Sequence, residues 1–549
     1  MCPILPGAID APDADRQSRG RLAGGGQRMD GTEKAAAHPA RLFVPPVFAD
    51  PSARALSRVG VIDVGSNSVR LVVFDGAARS PAYFFNEKVM CGLGRGMAET
   101  GRLNPEGRER ALAALTRFAL LADGMALQSL TAIATAAVRE AEDGPAFEAE
   151  VADRTGLRLE VINGVEEARL SAQGVLLGWP GAAGLVCDIG GSSVELAEIG
   201  EGGVGARVTT PLGPFRLQGV AGGQKGLRKH IRTILEAQRG EISGRHPALY
   251  LVGGSWRAIA RLDMERRGYP LTVLHEYEMT PKSIRKTLDW VAKSDLKALR
   301  ARTRLSPERI TLVPVAGVVL REVLKVYRPK TIRVSAYGIR EGVLYEQMPE
   351  RLRARDPLIE ACRFAEANSA RLPGLGHRLF EFIAPLYRKA SADRLRLVRA
   401  ACLLHDVSWR AHPDYRAEAC FDNATRSNLG GLDHRGRIFL GLALMHRYST
   451  GKSVLARMAP LQGLLGEAGR AEAEILGKAM RFGAMLSGTG PEQAGRLKYY
   501  PKKQVLELVM NPRAEALFGE AAQARFAALA TALGAGTLVR TARRDPPEP

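Results

Sequence analysis

The chain has little of what would place it in several large protein classes. Only six of its 549 residues are cysteine, and no two form a C-x-x-C pair. Most of them sit in apolar runs, so they read as reduced, buried thiols of a cytosolic protein and not as a disulfide framework or zinc ribbon. No apolar run approaches the ~18 residues of a membrane-spanning helix. The longest candidate, 310–320, is about half that length. Aromatic residues make up 6% and tryptophan occurs four times, which leaves little material for a broad stacking surface. Acidic residues are outnumbered, 58 Asp and Glu against 78 Lys and Arg, for a net charge of +20. Such a field favours a polyanionic partner, namely nucleic acid, polyphosphate, nucleotide or anionic membrane. Arginine-rich solvated surfaces set by genome composition are the other reading of the same number. The hydrophobic and charged fractions, 46% and 25%, are ordinary for a globular protein. The length suits three or four domains.

Residues 1–57 are rich in Ala, Gly, Pro, Arg and Asp, lack sustained periodicity, and contain no apolar core of a secretory signal. They are expected to form a disordered arm, with Met29 an alternative start, and 540–549 a tail. Order is expected from Val59, where β-branched residues flank a small polar turn. Helices are expected over 105–124 and 144–155 with a buried strand between them, and another helix from about Val165. After a composition shift near 347–356 the chain reads as helices, about 357–370, 374–390, 392–406, 435–448, 452–465 and 468–486. A small basic β-hairpin follows over 496–509.

The chain also contains a repeat. Asp63, Gly65, Ser68, Val69 and Leu71 recur as Asp188, Gly190, Ser193, Val194 and Leu196, at a constant offset of 125 positions. Such repetition indicates duplicated half-domains facing each other across a cleft. In each copy glycine lets the backbone approach a ligand, while successive N–H groups and hydroxyls make a concavity for an anion. The acidic residue at each strand end suits a hard cation, most simply Mg²⁺, which bridges to phosphate. Between the loops lies Asn163-Gly-Val-Glu166-Glu167-Ala-Arg169. Paired carboxylates at a helix start are usually partners of the helix dipole. Between two phosphate loops, one of them can instead take a proton from an attacking water. Arg139, at the end of the expected strand, can hold phosphate oxygens in two-pronged fashion or lie on the surface. Gly253-Gly254-Ser255 forms a third glycine-rich turn.

These residues carry a resemblance. Asp63-Val-Gly-Ser-Asn-Ser68, Ala134–Arg139, Gly164–Arg169, Asp188–Glu195 and Ser335–Gly342 match, in order and spacing over about 59–350, the exopolyphosphatase / guanosine-pentaphosphate phosphohydrolase (Ppx/GppA) family of the actin–Hsp70–sugar-kinase superfamily. The resemblance implies an α/β fold of two ribonuclease-H-like (actin-like ATPase) halves, 58–182 and 183–350, around a cleft. It also implies a helical accessory domain of the HD type over 351–539. It implies Glu167 as general base. Asp63, Asp188 and Glu195 are implied as metal residues, with Mg²⁺ as cofactor. Gly65, Ser66, Asn67 and Ser68, Arg139, Gly190, Gly191, Ser192 and Ser193, and Gly253, Gly254 and Ser255 are implied as phosphate contacts. The reaction implied is release of terminal phosphate from inorganic polyphosphate or from guanosine pentaphosphate, in a cytoplasmic, dimeric enzyme with no specific nucleic-acid partner. Ser192 and Val194 depart from the family's usual glycine and threonine, and Trp256 stands where a small residue is common. Both departures bear on the fit of the phosphate chain. His377, His405, Asp406 and Asp433 form an HD-like set. Its expected role is a hydrogen-bonded His405–Asp406 pair and not a metal centre. A kinase on the same scaffold and a non-catalytic binder of polyphosphate, alarmone or nucleic acid are the competing readings.

Overall fold

The structure is a computed structural model. It describes residues 58–542 apart from 75–78, 128, 449–455 and 457, so the expected N-terminal arm and residues 543–549 of the expected tail lie outside the described residues. Order starts with β1 (Val59–Val64), whose side chains are almost all buried, as a strand covered on both faces requires. It pairs antiparallel with β2 (Ser68–Phe74), which pairs antiparallel with the edge strand β3 (Tyr83–Met90). On its other side it runs parallel to β4 (Ser129–Ala134), which is followed by β5 (Leu159–Val161). The order is β3-β2-β1-β4-β5.

The second sheet repeats this arrangement. Its strands are β6 (Gly184–Ile189), β7 (Val194–Gly200), β8 (Gly203–Thr210), β9 (Ala248–Val252), β10 (Glu278–Met279) and β11 (Thr331–Val334). The order β8-β7-β6-β9-β11 has the same directions as the first sheet, with β10 added antiparallel at the edge. Each sheet has its own hydrophobic core, and a third core lies among the C-terminal helices.

The halves touch through two helices. Gly164–Gly178 and Ile339–Glu346 cross at glycines, where no side chain fits. A Cβ on Gly174 would lie 2.1 Å from the Gly338 carbonyl oxygen, and one on Gly342 would lie 1.8 Å from that of Leu170.

The helices expected at 105–124 and 144–155 are present over Pro105–Gly124 and Gly144–Thr155. Those expected after 356 appear as Pro357–Ser369, Leu375–Ile383, Ala392–Leu404, His434–Tyr448 and Glu467–Leu486. Of the one expected over 452–465, much lies outside the described residues, and Ala459–Gln462 forms one short turn. Three expectations need correction. The strand expected over 130–136 spans Ser129–Ala134 and so stops short of Arg139. Thr135 N–H makes a last rung to Val64, and Ala136–Glu140 then turn into a short helix. The helix Arg416–Arg426 was not expected, because its buried face is spread over small residues, with Phe421 the one large side chain. The hairpin β12 (Gly495–Tyr500) and β13 (Val505–Met510) gains a third strand, β14 (Gly536–Thr541), so the C-terminal unit is not all helical and part of the expected tail is paired. β14 runs parallel to β13, which requires a crossover, supplied by the helix Glu520–Ala532.

The C-terminal unit is docked closely on the rest. Arg79 is 1% exposed and donates to the carbonyls of Leu177 (2.6 Å), Arg355 (3.0 Å) and Arg353 (3.2 Å). Leu432 N–H donates to the Glu276 carboxylate at 2.8 Å, and Asn428 donates to Pro81 O at 3.3 Å.

Candidate active site

The two repeated turns are superposable in their hydrogen bonding. Gly65 N–H donates to Ser68 O and Gly190 N–H donates to Ser193 O, each at 3.0 Å. They face each other closely enough for the Ser192 hydroxyl to lie 3.2 Å from that of Ser66. The third turn enters the helix Gly254–Arg267 through Gly253, whose φ of 109° is open to glycine. A Cβ there would also strike the Ile189 carbonyl at 2.6 Å. The amides that open this helix are a natural anion seat.

Together these turns enclose a cavity of about 190 Å³. Its walls include Asp63, Gly65, Ser66, Asn67 and Ser68 from the first turn. Asp188, Gly190, Gly191 and Ser193 come from the second turn, and Gly253, Gly254 and Ser255 from the third, with Glu167 at the base of the helix between the halves. Three expected site residues do not line it. Ser192 turns to the neighbouring groove. Arg139 donates to the Ile162 carbonyl (2.7 Å) and to Glu167 (3.4 Å). Glu195 sits behind Asp188 as its partner across β6 and β7. One of its oxygens accepts from Thr209 at 3.0 Å and the other is buried without a partner. Trp256 does not crowd the cavity, because its indole is fully buried and donates to Cys187 O at 3.1 Å.

The paired carboxylates divide their work. Glu166 turns to Arg169 (2.6 Å), which also grips Glu346 (2.7 Å). Glu167, 8% exposed, faces the cavity. Burial pushes its carboxyl up to about 8. Arg139 pulls it down, and the Asp188 and Asp63 charges push it further up. Burial also raises Asp188, against a hydrogen bond from Ser171 and the charge of Arg257. Glu195 is driven up by burial and then by Glu167 and Asp188. These acids thus crowd one another.

Opposite them are four cations. Lys88, Arg257, Arg309 and Arg340 line the same cavity. Arg340 ion-pairs with Asp63 at 2.8 Å. Burial, then Arg340 and Arg309, brings Arg257 down to about 10. Lys88 stands on the exposed edge strand. Its ammonium is brought down to about 8 by loss of solvent and by Arg309 and Arg257. Arg340 lies inside the Ser335–Gly342 stretch and Arg257 one turn after the third glycine turn, so both carried a signal in their neighbourhood. Arg309, in the first turn of Pro307–Tyr327, and Lys88 carried none.

The HD-like set is not brought together. His377 is exposed beside Glu381, and Asp433 caps the helix that starts at His434 through Gly436 N–H (2.6 Å). His405 bonds the Cys402 carbonyl (2.7 Å), and Asp406 is gripped by Arg371 (2.6 Å), so the two are neighbours with separate partners. Among the described residues no three His, Cys, Asp or Glu side chains form a metal cluster.

Duplicated anion-binding turns, a buried carboxylate and a ring of cations are the working parts of a hydrolase acting on phosphoanhydride bonds. The chain belongs to the Ppx/GppA phosphatase family, whose pattern matches residues 72–351. A second pattern, described as exopolyphosphatase, C-terminal, matches 380–538. The chain is similar to Exopolyphosphatase 2 of Mycobacterium tuberculosis, 28% identical over 316 residues, which span 53% of this chain and 98% of that one. It is also similar to Retrograde regulation protein 2 of Saccharomyces cerevisiae, 25% identical over 438 residues, covering 71% and 72%. Among solved structures, an exopolyphosphatase from Cytophaga hutchinsonii is 26% identical with a TM-score of 0.49, covering 53% of this chain and 97% of that one.

Proposed function

We propose that the protein is a Mg²⁺-dependent exopolyphosphatase with actin-like ATPase halves, releasing terminal orthophosphate from inorganic polyphosphate. The observation that carries this reading is the convergence of Lys88, Arg257, Arg309 and Arg340 on a cavity of about 190 Å³. That is smaller than the roughly 300–1,000 Å³ of a pocket for a whole drug-sized ligand. It suits the end of a phosphate chain. The amides and hydroxyls of the three turns hold the terminal phosphoryl group, and the cations hold the phosphates behind it. Glu167 takes a proton from a water that attacks the terminal phosphorus. The bond to the bridging oxygen breaks, and the shortened chain leaves with the electron pair. A carboxyl raised toward neutrality is well matched to this proton transfer.

The residues present fit a magnesium ion. Asp63 and Asp188 supply hard oxygens, and Glu195 behind them has a buried oxygen with no partner. Mg²⁺ is usually held by one or two carboxylates together with substrate phosphates. When bound it would withdraw charge from the phosphoryl oxygens.

A groove of about 720 Å³ adjoins the cavity through Asn67, Phe215 and Leu312, and favours guanosine pentaphosphate as the second reading, since a nucleoside can lie there. We read the protein as cytoplasmic and dimeric and the helical unit as a metal-free HD-type domain. The five described cysteines are free and buried, and no described helix is long and apolar enough to cross a membrane. The experiment is phosphate release from long-chain polyphosphate and from guanosine pentaphosphate, side by side with Mg²⁺, with Glu167→Gln as the blank. Faster release from polyphosphate is expected. Faster release from the nucleotide would replace the first reading by the second, and release from neither would leave a binder.

A further inference from the structure

The helix Gly164–Gly178 carries Glu167 into the cavity and, one turn further along the same face, Ser171. Ser171 does not line the cavity. It is 1% exposed and stands behind the wall, and its hydroxyl donates to Oδ2 of Asp188. That direction differs from the local bonding of other helical hydroxyls in this chain. Those of Thr116, Thr155, Thr303 and Thr425 each turn back to the carbonyl four residues earlier in their own helices. Ser171 instead reaches across to β6. The backbone that carries it is held still. On one side Leu170 O abuts Gly342, and on the other Gly174 abuts Gly338. Arg169 and Gln173, which flank Ser171, both bond the Glu346 carboxylate.

The two aspartates at the repeated turns are each held by one oxygen. Asp63 Oδ2 accepts from the Arg340 guanidinium at 2.8 Å, and Asp188 Oδ2 accepts from Ser171. Oδ1 of Asp188 lies beside the third glycine turn, 3.0 Å from where a Cβ on Gly253 would stand. The two donors differ in charge. Arg340 is an ion-pair partner and offsets the charge of Asp63. A serine hydroxyl orients a carboxylate without adding a positive charge beside it. Asp188 is therefore fixed in direction while keeping the negative charge that a hard cation seeks.

We propose that Ser171 is a positioning residue for the reaction, which holds the Asp188 carboxylate in one orientation from behind so that its free oxygen is presented to a divalent cation. The inference rests on the proposed Mg²⁺ dependence. Hydrogen-bond partners behind a metal-holding side chain typically contribute 10–100-fold in metal affinity.

The test is titration of Mn²⁺, a paramagnetic stand-in for Mg²⁺, into the full-length protein stripped of metal, read by the spin-resonance signal of the free ion. Ser171→Ala should weaken Mn²⁺ binding by about tenfold or more. The Mg²⁺ concentration giving half-maximal phosphate release should rise by the same factor, with KM for polyphosphate at saturating Mg²⁺ little changed. Ser171→Thr keeps the donor and should recover most of the lost affinity, which a role in packing alone would not produce. Equal Mn²⁺ affinity in wild type and Ser171→Ala would overturn the inference and leave the magnesium reading standing. Equal weakening in the alanine and threonine variants would overturn it as well, by assigning the loss to packing. Failure of the wild-type protein to bind Mn²⁺ would overturn the inference together with the magnesium reading.

Discussion

Glu167→Gln separates chemistry from packing because the amide keeps the shape and still accepts from Arg139, which lies 3.4 Å away. It removes the only feature the proposed reaction needs from this residue, a basic oxygen. General-base contributions are typically 10²–10⁴-fold, so kcat should fall by about that factor while binding of a non-turned-over chain is retained. Stability supplies an independent reading. The carboxyl rises from 4.5 to about 8 on folding, so the folded state holds a proton that the unfolded chain has lost. Wild-type stability therefore falls as pH rises from about 4.5 to 8, and the glutamine variant lacks this loss. At 1.36 kcal/mol per unit the difference at pH 8 has an upper bound of about 4–5 kcal/mol. Denaturant melts of both proteins without added metal, at pH 5 and pH 8, measure it. The variant should be the more stable at pH 8, with the gap closing toward pH 5. Undiminished phosphate release would refute the general-base role, and equal stability at pH 8 would refute the electrostatic account of the site.

Arg139→Met removes the cation beside Glu167, so the acidic limb of the kcat profile should move to higher pH with KM little changed. A change confined to KM would mean that Arg139 touches substrate. With Lys88 titrating near 8, KM for polyphosphate should be flat below that pH and rise above it, and Lys88→Met should raise KM at pH 7 and abolish the rise. Asp188→Asn should lose activity that raised Mg²⁺ partly restores, which phosphate release against metal concentration will show. Gly342→Ala forces a Cβ to within 1.8 Å of the Leu170 oxygen and should cost about 2–4 kcal/mol in a thermal or denaturant melt. Gly181→Ala, with open space around it, should change nothing and serves as the control.

The duplication was legible because the same turn is built twice from the same few residue types, with Asp, Gly, Ser, Val and Leu recurring at one offset. Glu167 was legible through its place between the copies. The cations were not, because Lys88, Arg257, Arg309 and Arg340 come from four separate elements and meet only through the fold. Arg139 turns to Glu167, and Glu195 pairs with Asp188 from the next strand. A sequence shows that a charged residue ends a strand, but not whether its side chain reaches the ligand or the carboxylate behind it. The third strand of the C-terminal sheet was lost for a similar reason, since a parallel partner 26 residues or more away leaves no local turn signal.

The buried guanidinium of Arg79 redraws where this protein can be cut. The change in composition near 350 invites a truncation there, yet Arg353 and Arg355, just beyond it, supply carbonyl acceptors to Arg79. Burial lowers Arg79 to about 10, so it remains charged at neutral pH, and a fragment ending at 350 would leave that charge short of acceptors in a closed space. Removing a partner from a buried charge costs roughly 3–5 kcal/mol, enough to unfold many isolated domains. A fragment made to ask what the helical unit contributes to chain-length preference must therefore keep residues through 356. Loss of activity in a shorter one would report the damage around Arg79 and nothing about substrate.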